Sequence, residues 1–120
     1  MAFKFENLKV WQMSIDYTEA IHNMTRNFPK EELFILTSQI KRAADSIALN
    51  IGEGSTGQSD AEFSKFLGYA IRSAIEVVTC LYIAKKRKLI NQAVFDEQYR
   101  EAESIIRMAQ ALCNSIKPKK

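Results

Sequence analysis

The sequence predicts an all-α protein, an antiparallel up-down-up-down four-helix bundle formed by a single domain over residues 1–120. Three observations support this fold class. Over long segments, apolar residues recur only with the period of about 3.6 residues that marks an amphipathic helix. Four such segments are joined by short connections, which make consecutive helices antiparallel neighbours. Four glycines and two prolines are too few for a protein built from many turns.

The first two predicted helices cover residues 8–27 and 31–53. Pro29 lies between them and suits the first turn of the second helix, where a missing N–H costs nothing. Two large aliphatic residues of the second helix, Ile35 and Leu49, point away from its apolar stripe and indicate a second buried surface. The predicted core stripe itself comprises Leu33, Leu36, Ile40, Ala44, Ile47, Ala48 and Ile51.

The third predicted helix spans residues 59–86, and Ser59 and Glu62 have the spacing of a capping box at its start. Its apolar face is broader than one bundle core requires, because Tyr69, Ile75, Tyr82 and Ile83 extend it. This excess predicts self-association. The fourth helix is predicted at residues 92–116, followed by a frayed basic tail, KPKK.

The stretch GEGSTGQS, residues 52–59, has the glycine spacing of a phosphate-binding P-loop. The motif requires a preceding strand and a lysine, but a helix precedes it here and Gln58 replaces the lysine. Asp60 and Glu62 would also repel a phosphate at the following helix N-terminus. The sequence therefore predicts that Gly52 or Gly54 closes the second helix in the left-handed conformation, and that Gly57 permits the turn.

No constellation of catalytic or metal-ligating residues is evident. The one histidine, His22, has no obvious partner and is interpreted as a surface residue. Cys80 and Cys113 lie among apolar neighbours without a second ligand at metal-binding spacing, so both are interpreted as reduced, buried thiols. We therefore expect neither enzymatic activity nor a cofactor or metal.

The N-terminal segment lacks the apolar region of a signal peptide, and no uninterrupted apolar run approaches the roughly 18 residues of a membrane span. The expected location is the cytoplasm, with no membrane partner.

The net charge of +3 is unevenly distributed. Residues 1–60 hold six Lys and Arg against eight Asp and Glu, whereas residues 61–120 hold eleven against six. The densest cluster is Lys85-Lys86-Arg87-Lys88. Such asymmetry indicates a polyanionic partner. The alternative is a solvated helix end, where cations also favour the C-terminal dipole.

The segments LKVWQMS, FPKEELFILTSQIKRAADSIALNIGEGS and EFSKFLGYAIRSAIEV resemble the four-helix-bundle proteins encoded in intervening sequences of bacterial 23S ribosomal RNA, also called S23 ribosomal proteins. The accessory variability proteins of diversity-generating retroelements are similar. The resemblance is most specific at QIKRAADSIALNIGEG, where Gly52 occupies a position at which alanine is common.

This resemblance implies a ring-shaped homopentamer without known catalysis. It further implies that some members bind nucleic acid through a basic surface and engage a reverse transcriptase.

A polar seam, defined here as Arg42, Ser46, Asn50 and Glu53, follows one side of the second helix away from the core. Arg72 and Glu76 form a comparable pair on the third helix. If the seam meets a neighbouring subunit, its buried groups must pair, which would fix one docking register. The alternative is ordinary exposed charge. The predicted oligomer interface comprises Ile35, Arg42, Ser46, Leu49, Asn50, Glu53, Tyr69 and Glu76.

The sequence is consistent with two functions. The first is a non-enzymatic oligomeric protein that associates with RNA or DNA, with phosphate contacts from Lys85, Lys86, Arg87 and Lys88, helped by Lys65 and Arg72. No aromatic residue interleaves with residues 85–88, so base stacking is not expected. The second is a scaffold that docks a partner protein, such as a reverse transcriptase, on apolar surface left over after oligomerisation, with Tyr69, Tyr82 and Ile83 as candidates.

Overall fold

Four α-helices make up the computed structural model, which describes residues 3–116. They are α1 (Lys9–Thr25), α2 (Ser38–Ser55), α3 (Asp60–Lys86) and α4 (Gln92–Ile116). No strand occurs within residues 3–116, so the all-α four-helix prediction is confirmed. The basic tail predicted to fray, residues 117–120, lies outside the described residues.

Consecutive helices pack side by side in opposite directions. Residues 30–55, called the second helical segment, consist of α2 and the two turns before it. Contacts between this segment and the end, middle and start of α3 pair Glu32 with Arg87, Ser46 with Ser73 and Gly54 with Phe66. Residue numbers increase along one helix while those of their partners on the other decrease, so the two helices are antiparallel. The bundle closes where Tyr17 on α1 donates a hydrogen bond of 3.0 Å to the carbonyl oxygen of Gln98 on α4. Fully buried side chains that form the core include Ile21, Ile40, Ile47, Ile51, Leu67, Val77, Leu81 and Ala102.

The chain enters α2 through two non-α segments. A 3-10 turn at Lys30–Glu32 is followed by a π-helical turn at Leu33–Thr37. A tight turn followed by a wide one changes which side chains face the core, so the predicted stripe begins at Leu36 and not at Leu33. Leu33 was wrongly assigned to the core: it is 47% exposed, beside Phe34 at 89% and Ile35 at 59%.

The prediction that Gly52 or Gly54 closes the second helix in the left-handed conformation was also wrong, whereas Gly57 does lie in the connection between α2 and α3. No glycine in residues 3–116 has a positive φ, and α2 continues through Gly52 and Gly54 to Ser55. Gly54 is required by close packing, because a Cβ there would lie 2.5 Å from the Cβ of Phe66 on α3. At Gly52 the nearest atom, Trp11 Nε1, is 3.5 Å from such a Cβ, which is ordinary contact.

Helix α3 has well-defined ends. Ser59 caps its start by accepting a hydrogen bond of 3.1 Å from the backbone N–H of Glu62, as the capping-box spacing predicted. At its end, Leu89 N–H bonds to Ala84 O and Lys88 N–H bonds to Lys85 O, the two hydrogen bonds of a Schellman motif. Lys88 occupies the left-handed position of this motif with a φ of 61°, where glycine is usual.

Within residues 3–116, α3 is also the one helix long and apolar enough to cross a membrane by length and composition. Core helices of water-soluble bundles meet the same criteria. In this bundle 33% of the apolar window of α3 is buried, and Leu67, Ala74 and Leu81 are among the fully buried residues of the helix.

Candidate nucleic-acid interface

The two connections α1–α2 and α3–α4 lie at the same end of the bundle, because the helices alternate in direction. Residues 26–32 and 85–91 carry six lysines and arginines against two glutamates, a net charge of +4. This end, called the basic end below, therefore holds more positive charge than the whole chain, whose net charge is +3.

The four residues of the Lys85–Lys88 cluster differ in their surroundings. Lys86 and Lys88 are exposed, whereas Lys85 is half-buried. Lys88 follows the end of α3 in the Schellman motif, which turns the chain and separates its side chain from those still on the helix.

Arg87 is engaged in an ion pair within the molecule. Its Nη1 atom donates to both carboxylate oxygens of Glu32, at 2.9 and 3.1 Å. The Glu32 side chain is largely buried, so the pair fastens the start of the second helical segment to the end of α3. Arg87 thus has a structural partner that the sequence alone did not indicate.

Lys85 lies against aromatic rings that belong to residues outside the 85–88 run. Its Nζ atom is 4.2 Å from the ring centroid of Phe95 and 5.6 Å from that of Tyr82. Tyr82 also packs edge-to-face against Phe95 and Tyr99. The antiparallel α3–α4 hairpin brings these rings beside the cluster, and Tyr82 remains half-exposed.

Lys65 and Arg72 are exposed but distant from the cluster. At about 1.5 Å of rise per residue, they precede Lys85 along α3 by roughly 30 Å and 20 Å. The structure therefore does not bring them together with the basic end.

Part of the polar seam forms hydrogen bonds within the molecule. Asn50 Nδ2 donates to the carbonyl oxygen and to the hydroxyl of Ser46, at 2.8 and 2.9 Å. Ser46 Oγ in turn accepts a bond of 3.0 Å from Ser73 on α3. These three residues join α2 to α3.

The charged residues predicted for the interface, Arg42, Glu53 and Glu76, are solvent-exposed. None of them forms an ion pair within residues 3–116, nor does Arg72 beside Glu76 on α3. Their charges are thus free to meet groups outside the molecule.

The apolar residues predicted for the interface are exposed as well. Leu49 is 69% exposed and borders a groove of about 570 Å³, which Phe5, Trp11 and Ile15 also line. Tyr69 on α3 is 41% exposed and packs edge-to-face on Phe66. Sequence periodicity identified Leu49 and Ile35 but missed Phe34, because Phe34 protrudes from the π-helical turn.

His22 has a partner, contrary to its interpretation as an isolated surface residue. Its Nε2 atom lies 3.1 Å from Asp45 Oδ1, which also accepts a hydrogen bond from Thr18. Both cysteines are buried free thiols. Within residues 3–116, no group of three or more His, Cys, Asp or Glu side chains is arranged to hold a metal ion.

Comparison with known proteins places this geometry in context. The sequence profile of the family described as "23S rRNA-intervening sequence protein" matches residues 6–111. A crystal structure of a protein of unknown function from the S23 ribosomal protein family of Bacteroides thetaiotaomicron has a similar fold, with a TM-score of 0.82 and 24% sequence identity. The similarity covers 88% of this chain and 95% of that one. No curated protein matches the sequence.

Proposed function

The chain belongs to the 23S rRNA-intervening sequence protein family, and on that basis we propose that it is a non-enzymatic, oligomeric protein of the cytoplasm that associates with RNA or DNA. The observation that carries the proposal is the basic end, with its net charge of +4 on two adjacent connections. Neither the family's description nor that of the similar structure names a catalytic activity.

Lys86 and Lys88 supply the phosphate contacts in this proposal, because both are exposed and neither forms an ion pair within residues 3–116. Arg26 and Lys30, also exposed, lie on the neighbouring connection. Arg87 contributes mainly by holding the two connections together through Glu32. Such contacts bind the phosphate backbone without distinguishing base sequence.

Oligomerisation would place several copies of the basic end in one assembly. A homo-oligomeric ring, pentameric by the family resemblance, would repeat the basic end once per subunit and raise avidity without improving any single contact. Exposed Leu49 and Ile35 support such an interface, because burial of large aliphatic side chains under a partner removes apolar surface from water. Unpaired Arg42 and Glu53 would supply its polar contacts.

Fluorescence anisotropy with labelled single-stranded RNA and DNA tests the proposal, with salt varied from low to physiological concentration. Binding should weaken with salt at a slope of roughly −0.7 per neutralised phosphate. The double variant Lys86→Gln/Lys88→Gln should reduce that slope. The matched variant Lys65→Gln/Arg72→Gln removes the same charge elsewhere on α3 and should have a smaller effect.

Absence of binding at low salt would overturn this function and favour the alternative, a scaffold that docks a partner protein such as a reverse transcriptase. The observation favouring the scaffold is the apolar surface of α3, where Tyr69, Ile75 and Tyr82 are 41%, 51% and 51% exposed.

A further inference from the structure

Two cavities lie side by side between the C-terminal half of α1 and the start of the second helical segment. Their volumes are about 560 and 380 Å³, and both are lined by His22, Leu33, Thr37 and Lys41. Together they form what we call the α1–α2 cleft. None of its lining residues belongs to the Lys85–Lys88 cluster, but Arg26 and Lys30 of the basic end line the smaller cavity, and Arg42, Ser46 and Leu49 of the predicted oligomer interface line the larger one.

The cleft concentrates positive charge in the acidic half of the chain. Residues 1–60 contain six lysines and arginines, and four of them line the cleft: Arg26, Lys30, Lys41 and Arg42. None of the four forms an ion pair within residues 3–116. The one acidic residue in the lining is Asp45, whose Oδ1 atom is already engaged by Thr18 and His22. The net −2 of residues 1–60 conceals this local excess of cations.

A residue that lines both cavities, Thr37, carries a buried hydroxyl group without a partner. Thr37 is 6% exposed, and its Oγ1 atom forms no hydrogen bond within residues 3–116. In a regular α-helix a threonine hydroxyl commonly bonds to the carbonyl of the preceding turn. Thr37 ends the π-helical turn, where that spacing is altered. A buried polar group of this kind calls for a partner, and a ligand oxygen in the cleft would supply one once the neighbouring side chains move aside.

The mouth of the larger cavity carries an aromatic ring. Phe34 is 89% exposed and lines this cavity together with Lys41 and Arg42. An exposed ring beside cations is the arrangement on which nucleic-acid bases stack while their phosphates are neutralised. An inorganic anion would gain nothing from it.

We infer that the α1–α2 cleft binds the phosphoryl group of a nucleotide, with Lys41 and Thr37 at the phosphate and the ring of Phe34 against the base. The nucleotide comes from a single-stranded nucleic acid or is a free mononucleotide. The inference does not depend on phosphate contacts by Lys86 and Lys88.

Ligand-observed NMR titration of the full-length protein tests it with three probes: adenosine monophosphate, adenosine and a four-nucleotide RNA. Adenosine monophosphate should bind at least about tenfold more tightly than adenosine, the effect of one or more hydrogen bonds to a charged group. Lys41→Ala and Thr37→Val should each weaken its binding severalfold. Lys9→Ala removes an exposed charge near the start of α1 and should leave binding unchanged.

Thr37→Val keeps the shape of the side chain and removes a buried group without a partner, so its melting temperature should equal or exceed that of the native protein. Loss of binding in this variant therefore reports on the ligand and not on unfolding. Tighter binding of the RNA than of the mononucleotide, still dependent on Lys41, identifies nucleic acid as the source.

Equal binding of adenosine and its monophosphate would overturn the inference, as would unchanged binding in both variants. RNA binding that depends on Lys86 and Lys88 but not on Lys41 would also overturn it, while leaving the proposed function in place.

Discussion

Arg87 and Glu32, 55 residues apart in sequence, form an ion pair in which one guanidinium nitrogen bonds both carboxylate oxygens, at 2.9 and 3.1 Å. Removing the arginine leaves a largely buried carboxylate without its partner. We expect Arg87→Ala to lower the free energy of unfolding by about 1–2 kcal/mol, the cost of an unsatisfied buried polar group reduced for the partial exposure of the arginine. Chemical denaturation followed by circular dichroism measures it.

The neighbouring Lys86→Ala is the control, because Lys86 is exposed and unpaired within residues 3–116. Its effect should stay within about 0.5 kcal/mol. Equal effects of the two substitutions would mean that the ion pair contributes nothing to stability.

Lys88 provides a second prediction, through its left-handed backbone. With a φ of 61°, it occupies a conformation that costs a lysine roughly 1 kcal/mol relative to glycine. Lys88→Gly should therefore raise the free energy of unfolding by about 0.5–1 kcal/mol while weakening nucleic-acid binding by the loss of one charge. Lys86→Gly removes the same charge at a right-handed helical position and should destabilise the protein. Destabilisation by Lys88→Gly would contradict the geometry described for the end of α3.

The two glycines of α2 give a third prediction, which compares the substitution of each by alanine. Gly54→Ala would place a Cβ 2.5 Å from the Cβ of Phe66, so the helices must separate. The expected cost is about 1–3 kcal/mol, as for other overpacked sites. Gly52→Ala meets only ordinary contacts and gains helix propensity, so it should stabilise by up to about 1 kcal/mol. Thermal melts of the two single variants should shift in opposite directions.

Alkaline pH provides a fourth prediction. Burial, reinforced by the charge of Glu76, raises the pKa of Cys80 from 9.0 to about 11, and burial next to Glu101 raises the pKa of Tyr17 above its ordinary value. Both groups ionise more readily in the unfolded chain, which therefore binds fewer protons than the folded one above pH 9. Stability should be unaffected by these groups below pH 9 and should fall as the pH rises toward 11.

The measurement is urea denaturation at several pH values between 8 and 11 (a range set by the pKa of Cys80). Cys80→Ala should show a shallower loss of stability above pH 9 than the native protein. An identical pH profile for the two would show that the thiol does not contribute.

The proposed oligomer interface yields a fifth prediction. Leu49 is 69% exposed on the subunit, so Leu49→Glu should leave helix content unchanged while reducing the native mass measured by light scattering. Ala111→Glu adds the same charge at an exposed position of α4, outside the predicted interface, and should retain the native mass. A monomeric native protein, or an unchanged mass for Leu49→Glu, would remove Leu49 from the interface.

The number and order of the helices could be predicted from the sequence because amphipathic periodicity is a local property. The Ser59 cap could be predicted because the two residues that form it, Ser59 and Glu62, are three positions apart. The exposure of Leu33 could not be predicted from the sequence. It depends on a change of helical pitch at Leu33–Thr37, and no residue type in this segment indicates such a change. The sequence analysis expected Gly54 to be needed for a turn. The structure shows that a glycine is needed there because Phe66, 12 positions away, packs too closely for a Cβ atom.

The candidate site was predicted less completely. The cluster Lys85–Lys88 is visible as a run of charge, but its partners come from elsewhere in the chain. Glu32 reaches Arg87 and Phe95 reaches Lys85 only once the helices are packed. The cations of the α1–α2 cleft are spread over residues 26–42 among acidic residues, so no local run of charge reveals them.

The order in which the helices contact one another also bears on how the chain folds. Most packing joins helices that follow directly in sequence, so each antiparallel pair closes only a short loop and loses little chain entropy. The packing of α1 against α4 is long-range, and the bond from Tyr17 to Gln98 spans 81 positions. We therefore expect rapid folding through successive hairpins, with α4 docking against α1 last.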